Sequence, residues 1–359
     1  MMSNHLKFIN LAHDIASKNL GKTFPNPTVG CVISKNNIII SKAVTSATGR
    51  PHAEEIALKK AGKKAKGAIM YVTLEPCFHN SQNGSCADQI LRSGINKIYI
   101  SCIDEDPRTK KKSISKLKKN KIKVITGIEK DKTISVNNFY FKSLKKKKPF
   151  TKVKMAISND NKIAWSNYKS KWISNSKSRA YVHSLREKTQ AILTTSKTIL
   201  KDNPRFTVRK KNKIIKNLNV IIIDKNLNIP LNINLLKNLH ERRVIIFTSK
   251  KNNKSQKLKQ LGCEIIEMKI VNNKFDLKKI FSHIYQLKIS DLMVEAGGIL
   301  FADLIKNNLV DEILLFKAPY IIGEKGVPVI EGNSLNNIKK KLLEIIKFDD
   351  NLYLKYAIK

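Results

Sequence analysis

The chain has 359 residues, of which 42% are hydrophobic, and its 69 lysines and arginines against 28 aspartates and glutamates give a formal net charge of +41. This length predicts two domains with cores of their own, and the lack of a bilayer-length apolar run or a secretory signal disfavours a membrane or secreted protein. The charge excess is mostly lysine spread along the chain, which favours a solvated basic surface over a specific nucleic-acid site, although nonspecific adhesion to polyanions is expected.

The first 145 residues alternate between helical and extended patterns, and we assign residues 1–145 to the first domain. The predicted elements are a helix over 6–19, strands over 28–34 and 37–44, a helix over 52–61, a strand over 68–74, a helix over 86–94 and a strand over 97–103. The predicted strands are rich in β-branched and aromatic residues and have glycines near their ends. Such alternation predicts a layered α/β sheet.

A lysine-rich run followed by a proline, at 141–150, predicts the boundary between the two domains. The second domain, assigned to 150–359, contains strands predicted over 151–158, 190–195, 219–224, 243–249, 291–296, 311–319 and 351–359, with helices between them. The last strand alternates apolar and polar residues, which suits a closing antiparallel strand. The second domain is therefore also predicted to be α/β.

Two cysteines, Cys77 and Cys86, flank a polar loop, and His52 precedes them by about two dozen residues. Three interpretations are open: a metal site, a disulfide, or two buried thiols. The five cysteines are an odd and sparse set, which favours reduced thiols in the cytoplasm over a disulfide. Catalytic zinc uses three protein ligands, and a His-x-Glu followed by a Pro-Cys and a further Cys is the zinc-deaminase signature. We therefore predict that His52, Cys77 and Cys86 bind zinc.

Glu54 is predicted to be the proton shuttle of this site. It follows His52 by two residues, at the start of a predicted helix, near enough to serve the reacting water without being a ligand. Zinc lowers the pKa of that water toward neutrality, and the carboxyl group then moves a proton to a ring nitrogen and to the leaving ammonia. The pattern predicts hydrolytic removal of an exocyclic amine from a heterocyclic ring.

Eight residues separate the two cysteines, in "PCFHNSQNGSC", with "PNPTVGCVI" before them and "DEDP" after them. The second half carries "ILTTSKTILKDNPRFTVR", "VEAGG" and "FKAPYIIG". In this order the motifs resemble the bifunctional riboflavin-biosynthesis family, which fuses a diaminohydroxyphosphoribosylaminopyrimidine deaminase to a 5-amino-6-(5-phosphoribosylamino)uracil reductase. The resemblance implies an N-terminal cytidine-deaminase-like α/β/α layer domain and a C-terminal dihydrofolate-reductase-like α/β domain, with Zn²⁺ and NADPH as cofactors.

The resemblance also implies roles for individual residues. It implies zinc ligands at His52, Cys77 and Cys86, the proton shuttle at Glu54, and pyrimidine contacts at Asn26 and His79. It implies NADPH contacts at Ala156, Trp172, Thr198, Asp202, Gly297 and Gly298, and contacts to the phosphoribosyl substrate at Ser170, Arg186, Phe206, Arg209 and Glu295. Two arginines suit a 5′-phosphate, and glycines where a strand leads into a helix let backbone amides approach a cofactor phosphate.

The chain departs from the family pattern near both sites. Thr45 replaces a histidine, "SQNGSC" replaces "GKTPPC", Asn161 and Tyr168 replace glycines, and Lys225 replaces a serine. Two alternative functions are open. A nucleic-acid-editing deaminase is favoured by the charge alone, and such an enzyme would have only two residues between its cysteines. The other alternative is a binding protein with a relic zinc site. We expect a small-molecule phosphoribosylaminopyrimidine substrate, no specific nucleic acid and no membrane partner, and leave a homo-oligomer open.

Overall fold

The computed structural model describes residues 2–79, 84–167, 173–211, 213–331 and 338–358. The chain divides into two compact units, Met1–Lys147 and Lys148–Lys359. Among the described residues, no helix combines the length and the apolar character needed to cross a membrane.

The first unit contains the helices and strands predicted for it and further elements toward its end. In chain order they are α1 (Met2–Ser17), β1 (Gly30–Lys35), β2 (Ile38–Val44), α2 (Ala53–Ala61), β3 (Ile69–Leu74), α3 (Cys86–Ser93), β4 (Lys97–Cys102), α4 (Lys112–Lys119), β5 (Lys123–Thr126), α5 (Lys130–Val136) and α6 (Asn138–Lys146). The elements from α4 onward were not predicted. Lysines dominate this stretch, and α4 presents only a narrow buried stripe, which includes Ile114 and Leu117.

One five-stranded sheet organises the first unit, in the order β2-β1-β3-β4-β5. Strand β1 runs antiparallel to β2 and β3, whereas β3, β4 and β5 are parallel. Side chains alternate between the two faces: Val32 and Tyr71 pack with α1, and Cys31 and Met70 belong to the larger core on the opposite face, which α2 and α3 cover. The predicted α/β/α layering is confirmed.

The second unit is built on a larger sheet. Its elements are β6 (Phe150–Ile157), β7 (Lys162–Ala164), α7 (Ser176–Glu187), β8 (Ala191–Thr195), α8 (Ser196–Asp202), β9 (Thr207–Lys210), β10 (Lys213–Asn217), β11 (Asn219–Ile223), β12 (Val244–Thr248), α9 (Asn253–Gln260), β13 (Glu264–Glu267), β14 (Ile270–Val271), β15 (Lys274–Phe275), α10 (Leu277–Gln286), β16 (Asp291–Val294), α11 (Gly298–Lys306), β17 (Glu312–Lys317), β18 (Val327–Pro328), β19 (Lys340–Phe348) and β20 (Asn351–Ile358).

The large sheet has the strand order β13-β12-β11-β8-β16-β6-β17-β20-β19. In this order the first seven strands, from β13 through β12, β11, β8, β16 and β6 to β17, run parallel to one another. Strand β20 pairs antiparallel with both β17 and β19. Separate apolar cores cover its two faces. This arrangement agrees with the predicted dihydrofolate-reductase-like domain, and β20 is the closing antiparallel strand that the sequence predicted.

Two details lie outside the sequence prediction, which placed only a domain boundary at 141–150. The lysine-rich run at 141–150 is largely helical: α6 continues through Lys146, and β6 begins at Phe150. Phe139 and Ser143, four residues apart, face the interior, so the lysines occupy the outer side of an amphipathic helix. Strand β19 was not predicted because most of its side chains are exposed and show no alternating burial.

Candidate metal centre and cofactor cavity

The three predicted zinc ligands come together in the first unit. His52 is the N-cap of α2, Cys77 follows β3 in the loop toward α3, and Cys86 is the first residue of α3. Their ligand atoms all lie within 4.8 Å of one another. The Nδ1 atom of His52 lies 3.3 Å from the Sγ atom of Cys86. A tetrahedral zinc with two thiolates and one imidazole separates its donor atoms by about 3.5–3.8 Å, so the cluster fits zinc with small adjustments.

Local hydrogen bonds hold the two cysteines in place. Ser85 and Asp88 form a capping box that starts α3, and the backbone N–H of Cys86 donates to the Sγ atom of Cys77 at 3.3 Å. A backbone donor at a helix start stabilises a thiolate. The hydrogen bond with Cys86 lowers the pKa of the Cys77 thiol, whereas the same bond and burial raise the pKa of Cys86. The two thiols therefore differ in how readily they lose a proton.

Glu75, in the sequence "LEPC", is a structural residue that the sequence analysis missed. Its carboxylate is 3% exposed and accepts hydrogen bonds from the backbone N–H groups of Asp104 and Lys111 and from the hydroxyl of Ser113. These bonds join the end of β3 to the segment after β4. They hold the backbone that carries Cys77 without using the carboxylate for chemistry.

Glu54 lies in the first turn of α2 and is only 3% exposed. Burial raises the pKa of its carboxyl group to about 7. The nearby His52 opposes this rise, and the charge of Cys77 adds to it. A carboxyl group with a pKa near neutrality can accept a proton at one step and donate it at the next. The environment of Glu54 therefore suits the proton shuttle predicted for it.

Asn26 and His79, the residues with implied pyrimidine contacts, lie around the loop that leads to His52. The side-chain amide of Asn26 donates to the carbonyl oxygen of Gly49 at 2.9 Å. Gly49 has a φ of +89°, and a Cβ there would come within 2.6 Å of Asn26. The Nε2 atom of His79 lies 3.4 Å from Nη2 of Arg50, whereas its buried Nδ1 atom has no hydrogen-bond partner among the described residues.

We expect one zinc per chain in the purified protein and a near-complete loss of zinc in the Cys86→Ala variant, because two ligands hold the ion far more weakly than three. Metal analysis after dialysis against a weak chelator measures the zinc content. Cys102→Ala removes a buried thiol outside the cluster and is the matched control. Equal zinc content in the two variants would contradict the ligand assignment.

A cavity of about 1230 Å³ lies within the second unit. Its wall includes most residues predicted to bind cofactor or substrate in this half: Ala156, Arg186, Thr198, Asp202, Phe206, Arg209, Glu295 and Gly297. Gly298 is the next residue along, at the start of α11. Ser170 and Trp172 lie outside the described residues. The structure thus gathers the described part of the predicted reductase site around one cavity.

Arg186 and Glu295 form a buried ion pair at the cavity wall. The guanidinium donates from Nε and Nη2 to the two carboxylate oxygens at 2.7 and 2.9 Å, and Lys154 adds a third contact at 3.2 Å. Burial opposes ionisation of Glu295, but Arg186 and Lys154 outweigh it and hold its pKa below the usual range. Lys154 was not predicted. The third guanidinium nitrogen of Arg186, Nη1, donates to the carbonyl oxygen of Thr207 at 3.4 Å, so all three nitrogens have a protein partner.

The glycine pair at the start of α11 matches a cofactor-phosphate site. A Cβ on Gly298 would come within 2.8 Å of the carbonyl oxygen of Val329, so only glycine fits there. A Cβ on Gly297 would meet no atom within 4 Å, which leaves open space beside the helix N-terminus. Backbone N–H groups at such a terminus bind phosphate, and Lys197, Lys201 and Lys274 add positive charge to the cavity wall. These residues fit NADPH.

Sequence comparisons identify relatives of both units. The profile of the RibD C-terminal domain matches residues 149–354, and that of the cytidine and deoxycytidylate deaminase zinc-binding region matches residues 2–102. The riboflavin biosynthesis protein RibD of Aquifex aeolicus is 37% identical over 344 residues, covering 93% of this chain and 94% of that protein. RibD of Buchnera aphidicola is 34% identical over 348 residues, covering 92% and 91%.

Solved structures show the same likeness. Acinetobacter baumannii RibD is similar with a TM-score of 0.91 and 29% identity over 100% of both chains. A diaminohydroxyphosphoribosylaminopyrimidine deaminase/5-amino-6-(5-phosphoribosylamino)uracil reductase from Thermotoga maritima has a TM-score of 0.86 and 28% identity over 99% of both chains. The similarity therefore includes the units that carry the metal centre and the cavity.

Proposed function

Because the chain belongs to the RibD family of riboflavin biosynthesis proteins, which join a zinc-binding deaminase domain to an NADPH-dependent reductase domain, we propose that it catalyses the two reactions named for its Thermotoga relative. The first unit deaminates 2,5-diamino-6-(phosphoribosylamino)pyrimidin-4-one, and the second reduces the ribosyl group of the product to ribityl phosphate. The supporting observation is a His–Cys–Cys donor set beside a buried carboxyl group, in the same chain as a glycine- and lysine-lined cavity.

In the deaminase reaction, His52, Cys77 and Cys86 would hold zinc, which would lower the pKa of the attacking water. Glu54 would accept a proton from the attacking water and donate it to the ring nitrogen next to the reacting carbon. A second transfer through Glu54 protonates the departing amine, so water and the amino-pyrimidine give the oxo-pyrimidine and ammonia. Burial keeps bulk water from competing with these transfers.

In the reductase reaction, Gly297 and Gly298 would bind the cofactor phosphates, and Ala156, Thr198 and Asp202 line the same cavity. The chemistry that NADPH would supply there is a hydride for the ribosyl carbon attached to the amine. The ion pair of Arg186 and Glu295 presents a fixed carboxylate and guanidinium to the polar ribosyl group, and Arg209 and Phe206 lie along the same wall. Ordered side chains of this kind orient a flexible sugar for hydride transfer.

We further propose a cytoplasmic location and a homo-oligomeric state. A reducing compartment keeps the ligand thiols available for zinc. Strand β19 is the last strand of the large sheet, and its Leu343 and Ile345 are 47% and 57% exposed. An exposed apolar edge strand favours pairing with another chain, and a second copy of this chain is the partner we propose.

The two activities are expected to run in sequence and to be separable. With the diaminopyrimidine substrate and no NADPH, the enzyme should release ammonia and leave the deaminated product unreduced. When NADPH is then added, about one NADPH should be oxidised for each ammonia released. The Cys86→Ala variant should release no ammonia but should oxidise NADPH at a near-normal rate when given the deaminated substrate. Ammonia and NADPH are followed separately. NADPH oxidation that precedes deamination, or ammonia released from cytosine bases in DNA, would contradict the proposal.

A further inference from the structure

Two arginines lie beside the metal centre of the first unit and take no part in the mechanism above. Arg50 precedes the ligand His52 by two residues, and its Nη2 atom lies 3.4 Å from Nε2 of His79. Arg108 lies in the segment after β4, whose backbone N–H groups at Asp104 and Lys111 donate to Glu75, two residues before the ligand Cys77. Both arginines are exposed to solvent and lie in segments that adjoin a ligand residue.

The two arginines are held differently. Arg108 donates from Nε and Nη2 to the two carboxylate oxygens of Asp106 at 3.0 and 2.5 Å, and the Asp106 side chain is only 9% exposed. This fixes the guanidinium, while the Arg108 side chain as a whole is 67% exposed and keeps donor groups toward solvent. Arg50 is exposed and makes no ion pair with any residue that the structure describes. One anchored and one unneutralised guanidinium form a rim with surplus positive charge.

We propose that Arg50 and Arg108 bind the 5′-phosphate of the deaminase substrate. This inference rests on the proposed function, which places the reacting carbon of the pyrimidine at the metal centre. The phosphate is the part of that substrate farthest from the reacting carbon, so it must lie toward the solvent-facing rim when the ring is bound. A guanidinium offers parallel N–H donors that match phosphate oxygens, and an anchored guanidinium loses little freedom on binding.

The arrangement also divides the recognition of the substrate into two parts. His79 lies against Arg50, and its Nδ1 atom has no hydrogen-bond partner in the part of the chain that the structure describes, so this atom can contact the pyrimidine or the ribose. The side chains of both arginines are exposed to solvent, whereas His79 is half-buried. Contacts to the phosphate therefore do not compete with the ring for the same donor atoms.

The test compares ammonia release from the phosphorylated substrate and from the same pyrimidine with an unphosphorylated ribosylamino group. For the wild-type enzyme we expect a clear preference in kcat/KM for the phosphorylated form. Arg50→Gln and Arg108→Gln should each reduce kcat/KM for that form by about tenfold, the low end for hydrogen bonds to charged groups because both arginines are exposed. Activity on the unphosphorylated form should stay unchanged, and the preference should weaken as salt rises.

Lys60→Gln removes one positive charge from the exposed end of α2 and should leave both activities unchanged. Equal losses of kcat/KM on the two substrates would show that the arginines act only structurally. An unchanged preference for the phosphorylated substrate in the double variant Arg50→Gln/Arg108→Gln would show that they do not contact the phosphate. Either result overturns the proposal while the deaminase function stands. If the zinc-loaded wild-type enzyme releases ammonia from neither substrate, the proposed function itself fails, and this inference fails with it.

Discussion

Replacing Glu54 by glutamine is expected to slow ammonia release by about 10²–10⁴-fold, the contribution of a well-placed general acid–base group. Glutamine has nearly the shape of glutamate but cannot accept and return a proton. The ligand atoms of His52, Cys77 and Cys86 are untouched, so zinc content should remain that of the wild type. Parallel measurement of ammonia and zinc therefore separates loss of the shuttle from loss of the metal.

Two controls accompany the Glu54→Gln variant. NADPH oxidation with the deaminated substrate should be unaffected, because Glu54 belongs to the first unit and the cavity to the second. Glu55→Gln changes the neighbouring, half-buried carboxyl group and should keep most of the deaminase activity. Ammonia release within tenfold of the wild-type rate in Glu54→Gln would mean that another group moves the proton.

The same carboxyl group should affect the stability of the metal-free protein. Burial raises the pKa of Glu54 to about 7, above the value of about 4.3 for an unfolded chain. A raised pKa gives a contribution to stability that is complete below the unfolded value and is lost as pH rises through the folded value. The metal-free wild type should therefore lose stability between about pH 4.3 and 7 relative to Glu54→Gln.

The metal centre could be predicted from sequence because each of its ligand residues lies beside the start of a helix or the end of a strand, which neighbouring residues indicate. His52 precedes a helix, Cys77 follows a strand and a proline, and Cys86 follows the helix-capping Ser85. Such signals depend on neighbours within a few positions, and they fix where a helix starts. The chemistry then followed from the combination of residue types.

The ion pair at the cavity could not be predicted in the same way. Arg186 and Glu295 are 109 residues apart and meet only because β8 and β16 are neighbours in the sheet. Lys154 reaches Glu295 because β6 pairs with β16 in a register that places Val153 opposite Val294. Strand order and register depend on the packing of the whole unit, so the sequence assigned Arg186 to a phosphate without showing its buried partner.

Replacing Arg186 by methionine is expected to destabilise the second unit by about 3 kcal/mol, because removing one partner of a buried ion pair leaves an uncompensated charge. The side chains of Arg186 and Glu295 are 17% and 8% exposed, so solvent cannot replace the lost contact. The expected cost is at the low end for such pairs because Lys154 still contacts Glu295 at 3.2 Å. Denaturant unfolding, followed by a probe of the second unit, measures the loss.

Arg209→Gln is the matched control for Arg186→Met. Arg209 lines the same cavity but is exposed. Its Nε atom donates to the hydroxyl of Thr207, and its backbone N–H donates to Nδ1 of His183. Its removal should change the free energy of unfolding by less than about 0.5 kcal/mol, as for most surface substitutions, while weakening binding of the phosphorylated reductase substrate. Unchanged stability in Arg186→Met, with a raised KM alone, would show that Arg186 binds substrate rather than supports Glu295.

The Arg186–Glu295 pair also predicts a dependence of stability on pH. Because Arg186 and Lys154 hold the pKa of Glu295 below its usual range against the effect of burial, the pair contributes stability above the unfolded pKa of about 4.3. That contribution is lost as pH falls through the folded value. In Arg186→Met the loss should begin at a higher pH, since one of the two cations that depress the pKa is gone.

In the double variant Arg186→Met/Glu295→Leu the acid-side loss due to this pair should disappear. Part of the stability at pH 7 should return because the buried carboxylate that lost its guanidinium partner is also removed. A double variant no more stable than Arg186→Met would mean that the guanidinium supports the wall of the cavity by packing alone.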